Sequence, residues 1–115
     1  MNDVISIHEY QLKKGVSAEQ FEQAVANARG RELFKLPGLS EHHFLKRIRG
    51  TRNTHYAAIW LYADRNSWEK LWGKVENPTP KENYPEKWKI WEDEILAPLL
   101  GHDPDHIDYA AYDAF

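Results

Sequence analysis

The stretch from Leu36 to Trp72, LPGLSEHHFLKRIRGTRNTHYAAIWLYADRNSWEKLW, most constrains the fold of this chain. Its opening proline–glycine pair predicts the end of a helix, because proline cannot continue a helix and glycine accepts a left-handed turn. Two extended segments follow, Ser40 to Arg49 and His55 to Ala63, joined by the polar loop Gly50 to Thr54. The pattern predicts two neighbouring antiparallel strands.

Alternation along these strands assigns side chains to two faces. On the first strand, one face carries His42, Phe44 and Ile48. The other face carries Glu41, His43, Leu45 and Arg47. The second strand is rich in aromatic and branched residues, which suits the middle of a sheet. Its Tyr56, Trp60 and Tyr62 share one face, where they form either an aromatic wall for a planar ligand or a contact with another subunit.

A helix is predicted directly after the second strand. Asp64 or Asn66 can cap its start, and apolar side chains recur at i, i+3, i+4 and i+7, namely Trp68, Leu71, Trp72 and Val75. The prolines of Asn77 to Pro80 end it. We expect the segment from Asn77 to Tyr84 to form a lid over any pocket beneath it.

The remaining elements give the order strand, helix, strand, strand, helix, strand. Val4 to Lys13 is the first strand, and Ser17 with Gln20 forms a capping box for a helix ending near Lys35. The second long helix has an apolar face of Tyr84, Trp88, Trp91, Ile95 and Leu99, interleaved with exposed Glu86, Lys87, Lys89, Glu92 and Asp93. His106 to Phe115 is the last strand.

This order predicts an α+β fold, a ferredoxin-like βαββαβ sandwich forming one domain over residues 1–115. A four-stranded antiparallel sheet would carry both helices on one face. The residues left for the other face are too apolar to remain in water. We therefore expect a homodimer in which two sheets cover each other about a two-fold axis.

Composition narrows the class of partner. The chain has no cysteine, so neither a disulfide framework nor a thiolate metal site is possible, which is consistent with a cytoplasmic location. A net charge of −3 without a basic run argues against nucleic acid. The sequence contains no apolar stretch long enough to span a membrane and no signal-peptide pattern at its start.

Three motifs resemble the dimeric α/β-barrel superfamily, especially its antibiotic-biosynthesis monooxygenase and NIPSNAP-type branches. They are the opening strand and turn HEYQLKKG from His8, the LPGL entry to a strand at Leu36, and IWLYADRNSW from Ile59. The resemblance implies a dimer of ferredoxin-like units with a pocket between each sheet and its helices. It also implies a relationship to cofactor-independent monooxygenases, to haem-degrading enzymes and to proteins of no known activity.

The haem-degrading branch places an asparagine, a tryptophan and a helix histidine around its site. Here His8 falls at the asparagine position, and Trp68, Leu71 and Trp72 surround the tryptophan position. No histidine occurs from Asn66 to Leu100, so this chain departs from the pattern that ligates haem. We therefore expect no bound cofactor.

The candidate catalytic residues are His8, Tyr10 and His43. A neutral imidazole beside a phenol can take a proton from an acidic substrate, with Tyr10 and His43 orienting the substrate oxygen. The candidate ligand-binding residues are Tyr56, Trp60, Tyr62, Trp68 and Trp72. The alternative reading places His8 at a dimer contact and the tryptophans in an ordinary core.

These residues support two hypotheses. The first is a cofactor-free monooxygenase that acts on a small aromatic or quinol-type substrate in the sheet–helix pocket. The second is a non-catalytic dimeric module that binds a small apolar molecule or a partner protein. A composition suggestive of metal binding at His102, Asp103, Asp105, His106 and Asp108 is better explained as a solvated acidic turn.

Overall fold

A computed structural model describes residues 3–51, 54–101 and 103–115. The main elements are β1 (Val4–Tyr10), α1 (Ala18–Gly30), β2 (Leu39–Lys46), β3 (Tyr56–Tyr62), α2 (Arg65–Trp72), β4 (Gly73–Lys74), β5 (Asn77–Pro78), α3 (Glu86–Lys89) and β6 (Asp108–Asp113). The four long strands form an antiparallel sheet in the order β2-β3-β1-β6. This is the predicted ferredoxin-like arrangement, and the fold class is confirmed.

Helix α1 begins as the sequence predicts but ends earlier. The Gln20 N–H donates to the Ser17 side-chain oxygen at 3.1 Å, and the Ser17 N–H donates to the Gln20 side chain at 2.7 Å. At the other end, the Leu33 N–H donates to the Ala28 carbonyl at 3.1 Å, and Glu32 has a φ of 60°. This is a Schellman closure with a non-glycine residue in the left-handed position, so the predicted continuation towards Lys35 is wrong.

The proline–glycine pair instead makes the turn into β2. Gly38 has a φ of 82°, and a Cβ at this position would lie 2.6 Å from the Ser67 Cβ. Glycine is thus required both by the backbone conformation and by the close approach of α2. Helix α2 is capped by Asp64, whose Oδ1 accepts from the Ser67 N–H at 2.7 Å, which settles the predicted choice between Asp64 and Asn66.

The helix after α2 is not one regular α-helix. Its α3 turn continues as a π-helix, Ile90–Leu96, and then as a 3-10 turn, Ala97–Leu99. Trp88, Trp91 and Ile95 are buried as the spacing predicts. Glu92, which the pattern placed on the exposed side, is only 6% exposed, so that prediction is wrong.

The segment between α2 and α3 is compact. Strands β4 and β5 form a short antiparallel pair, and a 3-10 turn, Lys81–Asn83, follows. The Thr79 N–H donates to the Trp72 carbonyl at 2.8 Å, which ties the segment to the end of α2. Helix α2 therefore ends at Trp72 rather than at Val75.

The two faces of the sheet differ in what covers them. The face towards the helices, here called the helix face, carries Val4, Ser6, His8 and Tyr10 of β1 opposite Tyr56, Ala58, Trp60 and Tyr62 of β3. The opposite face, here called the open face, carries half-buried Ile5, Ile7, Ile59 and Leu61, with Leu45 and Tyr112 at 43% and 56% exposure.

Candidate functional site

His8 lies on the helix face in the middle of β1, surrounded by aromatic rings. Its ring centroid is 5.8 Å from those of Trp60 and Trp88, 5.9 Å from Tyr109 and 6.5 Å from Tyr10. Its Nδ1 is buried and has no hydrogen-bond partner within the described part of the chain. Burial lowers the pKa of His8 to about 4, so the imidazole is neutral at neutral pH.

Tyr10 lies two residues along the same face and is fully buried. Burial, reinforced by the nearby Glu92 carboxyl, raises the pKa of the Tyr10 hydroxyl well above its ordinary value. The phenol therefore keeps its proton and can act as a hydrogen-bond donor. The Trp91 side chain acts on the pKa of the same hydroxyl in the opposite direction, although neither Tyr10 Oη nor Trp91 Nε1 makes a hydrogen bond of good geometry among the described residues.

Glu92 comes from the π-helix that covers this part of the sheet. Burial raises the pKa of Glu92 to about 7; the Lys81 ammonium opposes this shift, and Asp105 and Asp93 add to it. Its Oε1 is buried and unpaired within the described ranges. Glu92 was not among the predicted site residues, although it lies four residues after Trp88, on the same helical side.

Buried polar atoms without partners thus share one side of the sheet. They are His8 Nδ1, Tyr10 Oη, Trp60 Nε1, Trp91 Nε1 and Glu92 Oε1, here called the buried polar cluster. Strands β1 and β3 supply three of these residues, and the helical segment 90–96 supplies the other two. Because most buried polar atoms in proteins are hydrogen-bonded, a concentration of this kind calls for an explanation such as a bound ligand or water.

The predicted aromatic residues divide between this region and elsewhere. Trp60 contacts His8 directly, and Trp72 lies one ring further away, 5.4 Å from Trp88. Tyr62 is occupied in accepting a hydrogen bond from Trp72 Nε1 at 3.1 Å. Tyr56 donates to a Glu22 carboxylate oxygen at 2.8 Å at the other end of β3. Trp68 lies 5.6 Å from the Arg65 guanidinium.

His43 is not brought together with His8 and Tyr10. It pairs with Ile59 across the sheet, and Ile59 in turn pairs with Ile7, so its side chain belongs to the open face. It is exposed, and its Nε2 lies 3.9 Å from a Glu41 carboxylate oxygen. Within one subunit, His43 therefore cannot orient a substrate held beside His8.

Two open clefts lie outside the buried polar cluster. One, of about 550 Å³, lies between the end of α1 and β2, with Arg29, Phe34 and His42 in its wall. The other, of about 530 Å³, is lined by Lys81, Asp93 and Asp105 among others. Neither is lined by His8, Tyr10 or Trp60, because aromatic side chains fill the space around them.

The acidic turn before β6 does not form a metal site within the described residues, where no group of three or more potential ligands converges. His102, one of the residues in that pattern, lies outside the described ranges. Asp105 instead accepts a hydrogen bond from Lys81 Nζ at 2.6 Å, and Asp93 accepts another from it at 2.8 Å. Despite partial burial, these two bonds raise the pKa of Lys81 above its ordinary value.

Comparison with known proteins identifies the fold. No family model matches the sequence, and no curated protein sequence matches it. Among solved structures, a dabb family protein with a ferredoxin-like fold from Mesorhizobium loti is 12% identical with a TM-score of 0.66, covering 100% of this chain and 99% of that one. SnoaB, a cofactor-independent oxygenase from Streptomyces nogalater, is 13% identical with a TM-score of 0.61, covering 100% and 95%.

A third similar structure has a different activity. The hydroxynitrile lyase from Passiflora edulis is 14% identical with a TM-score of 0.66, covering 99% of this chain and 94% of that one. Other neighbours include a putative antibiotic biosynthesis monooxygenase and dimeric ferredoxin-like proteins of unknown function. The chain has a ferredoxin-like fold, as its sequence predicts. No helix among the described residues is long and apolar enough to cross a membrane.

Proposed function

We propose that this protein is a cofactor-independent monooxygenase-like enzyme that acts on a small aromatic or quinol-type substrate between the sheet and its helices. The buried polar cluster is the observation on which this rests. It combines a neutral imidazole, a protonated phenol, two indole N–H groups and a carboxyl group inside an aromatic shell. A substrate with a planar ring would pack well against these aromatic side chains, and the polar atoms would orient its oxygen.

The reaction is a four-electron reduction of dioxygen by the substrate. A methylene between aromatic rings loses a proton, and the resulting carbanion gives electrons to dioxygen. One oxygen atom forms a new carbonyl, and the other leaves as water, so that R2CH2 and O2 become R2CO and H2O. No external reductant is needed. A similar structure described as a cofactor-independent oxygenase supports this choice.

His8 would hold the substrate oxygen by a hydrogen bond. Its predicted role as the proton acceptor stays a prediction. With a pKa of about 4 its conjugate acid holds a proton weakly, so the neutral imidazole is better suited to orienting the substrate. Tyr10, which keeps its proton, would donate to the same oxygen.

The active form would be a homodimer joined through the open face. Half-buried Ile7, Ile59 and Leu61 form its centre, and Tyr112 lies at its edge. An apolar surface of this kind is typical of subunit interfaces. Dimeric ferredoxin-like neighbours support this assembly. The helix face, which holds the site, would remain outside the interface.

Oxygen uptake tests the activity. Wild-type protein incubated with a panel of quinols and anthrones should consume dioxygen faster than the protein-free blank. His8→Ala should reduce uptake at least about tenfold, since it removes a hydrogen bond to the reacting oxygen. His55→Ala is the matched control, because His55 is an exposed histidine in the turn before β3, and this variant should leave uptake unchanged. Equal loss in both variants would contradict the site.

The non-catalytic binding module remains the second candidate, because aromatic side chains fill the space around His8. Such packing is also what a structural core requires. Quenching of tryptophan fluorescence by the same panel without any oxygen uptake would favour this function. Quenching together with uptake supports the enzyme.

A further inference from the structure

We infer that Glu92, rather than a histidine, is the residue that takes the proton from the substrate. The inference rests on the proposed function and names the acid–base residue of the same site. Glu92 is the one buried charged residue within the described part of the chain. Glutamate is seldom buried, and one of the two carboxyl oxygens of Glu92, Oε1, has no hydrogen-bond partner among the described residues, so its position requires an explanation beyond packing.

The backbone around Glu92 is unusual. The π-helix spans seven residues, Ile90–Leu96, with Glu92 in its first half. π-Helical turns are rare and occur frequently at functional sites, because the wider turn changes the direction of side chains relative to an α-helix. Here Glu92 directly follows Trp91, whose ring centroid lies 5.7 Å from that of Phe44, and Phe44 lies 6.4 Å from Tyr10 of β1.

The surroundings connect Glu92 to the substrate region. Its charge acts on the Tyr10 hydroxyl, and the Trp88 side chain favours its ionised form. Trp88 and Tyr10 both lie against His8, at 5.8 and 6.5 Å between ring centroids. A planar molecule that displaced the aromatic rings around His8 would contact Glu92 Oε1, which has no hydrogen-bond partner among the described residues.

The charged and titratable groups that face Glu92 come from four elements of the structure. They are Tyr10 from β1, Lys81 and Tyr84 from the segment before α3, Asp93 from its own helix and Asp105 from the turn before β6. Burial and the two aspartates favour the neutral carboxyl group, whereas Lys81 favours the carboxylate. With a pKa of about 7, both forms are present near neutral pH, as a general base requires.

The step itself is a simple proton transfer. The carboxylate of Glu92 accepts a proton from an acidic C–H of the substrate, and the C–H electron pair stays on the substrate carbon. The protonated carboxyl group can return this proton to the substrate or to water. Dioxygen is needed only afterwards, as the oxidant of the carbanion, so the proton transfer can be measured without it.

Anaerobic hydrogen–deuterium exchange tests this step. Anthrone, a planar aromatic ketone with acidic methylene protons, is incubated with the wild-type protein in D2O without dioxygen, and NMR follows loss of the methylene signal. Binding is first checked by tryptophan fluorescence. Exchange above the blank should rise with pH through about 7. Glu92→Gln should lower it by at least about a hundredfold.

Two further variants make the result specific. Glu94→Gln is the matched control, since Glu94 is an exposed carboxylate in the same helical segment, paired with Arg31. This variant should catalyse hydrogen–deuterium exchange on anthrone at the wild-type rate. Lys81→Met removes the cation that favours the carboxylate, so the midpoint of its pH profile should move upward. Circular dichroism of each variant verifies that the fold is retained.

The possible outcomes separate the two proposals. Exchange that depends on Glu92 without any aerobic oxygen uptake supports Glu92 and overturns the oxygenation. Oxygen uptake that Glu92→Gln leaves unchanged supports the oxygenation and overturns Glu92. Wild-type protein that binds anthrone without exchanging it overturns the inference, and failure to bind anthrone counts against both.

Discussion

The helix face and the open face of the sheet are built by the same strands, yet they have different chemistry. Along β1, Ser6, His8 and Tyr10 alternate with Ile5 and Ile7. The helix face mixes polar atoms with large aromatic rings, whereas the open face is mainly aliphatic. A face covered by the chain's own helices can hold chemical groups in fixed positions. A face without such cover is suited to association with another surface.

The largest difference between the two faces should be in the free energy of unfolding that is lost when neighbouring residues of β3 are truncated, one on each face. Trp60→Ala should lower the free energy of unfolding by about 3–5 kcal/mol, because Trp60 is fully buried among aromatic rings. Leu61→Ala, on the open face, should cost at least about 1 kcal/mol less in dilute protein. Chemical denaturation measures both. Equal losses would contradict the distinction between the faces.

A charge on the open face should break association without unfolding the subunit. Ile59→Lys should weaken dimerisation by at least about a hundredfold, equivalent to about 3 kcal/mol, since a lysine would be buried unpaired. Light scattering should then report a monomer with a native circular dichroism spectrum. Ile48→Lys is the control, at a residue that is 99% exposed. A wild-type protein that is monomeric at micromolar concentration would refute the open-face interface.

The helix face should contribute a pH dependence of stability that the open face lacks. The pKa of Glu92 is raised, so the fold favours its neutral form. Stability is therefore full below the ordinary glutamate pKa and falls as pH rises through about 7. Glu92→Gln should remove this decline, which is less than about 3 kcal/mol.

For this measurement, denaturant midpoints are compared at pH 5 and pH 8, which lie below and above the Glu92 pKa of about 7. Glu94→Gln should retain the wild-type decline. His8 contributes the opposite slope, because its lowered pKa removes stability as pH falls towards about 4. A Glu92→Gln profile identical to wild type would show that this carboxyl is not held neutral.

The smallest effect should come from the end of a helix, away from either face. Ser17→Ala removes the oxygen that accepts from the Gln20 N–H and should cost about 1 kcal/mol. The loss should be independent of pH and of protein concentration, unlike the two preceding cases. Thermal denaturation at two concentrations checks this. A concentration-dependent loss would implicate α1 in the interface.

Much of the fold was predictable because it depends on local signals. The capping box at Ser17, the cap at Asp64 and the alternation of Tyr56, Trp60 and Tyr62 are all readable from neighbouring residues. The order of elements then restricted the topology to a ferredoxin-like sheet. The end of α1 was mistaken because a glutamate, Glu32, occupies the left-handed position that glycine usually takes.

The candidate site was predictable only in part. Periodicity placed His8 with Tyr10 on one face of β1, and Trp60 on one face of β3. The register between the two strands shows that these are the same face of the sheet. Periodicity could not show that His43 lies on the opposite face from His8, since that depends on the register between strands. The spacing of four residues between Trp88 and Glu92 did indicate that Glu92 could be buried, but periodicity could not reveal that the backbone there is a π-helix.

Strand β1 is paired on both of its edges, with β3 and with β6. Its length therefore cannot change without shifting the register of its side chains. A one-residue insertion within this strand would turn His8 outward and send Ile7 beneath the helices. The same shift in register would remove His8 from the buried polar cluster and would disrupt the open face as a surface for a second subunit. An insertion in a connecting segment, by contrast, leaves the alternation of side chains along β1 unchanged.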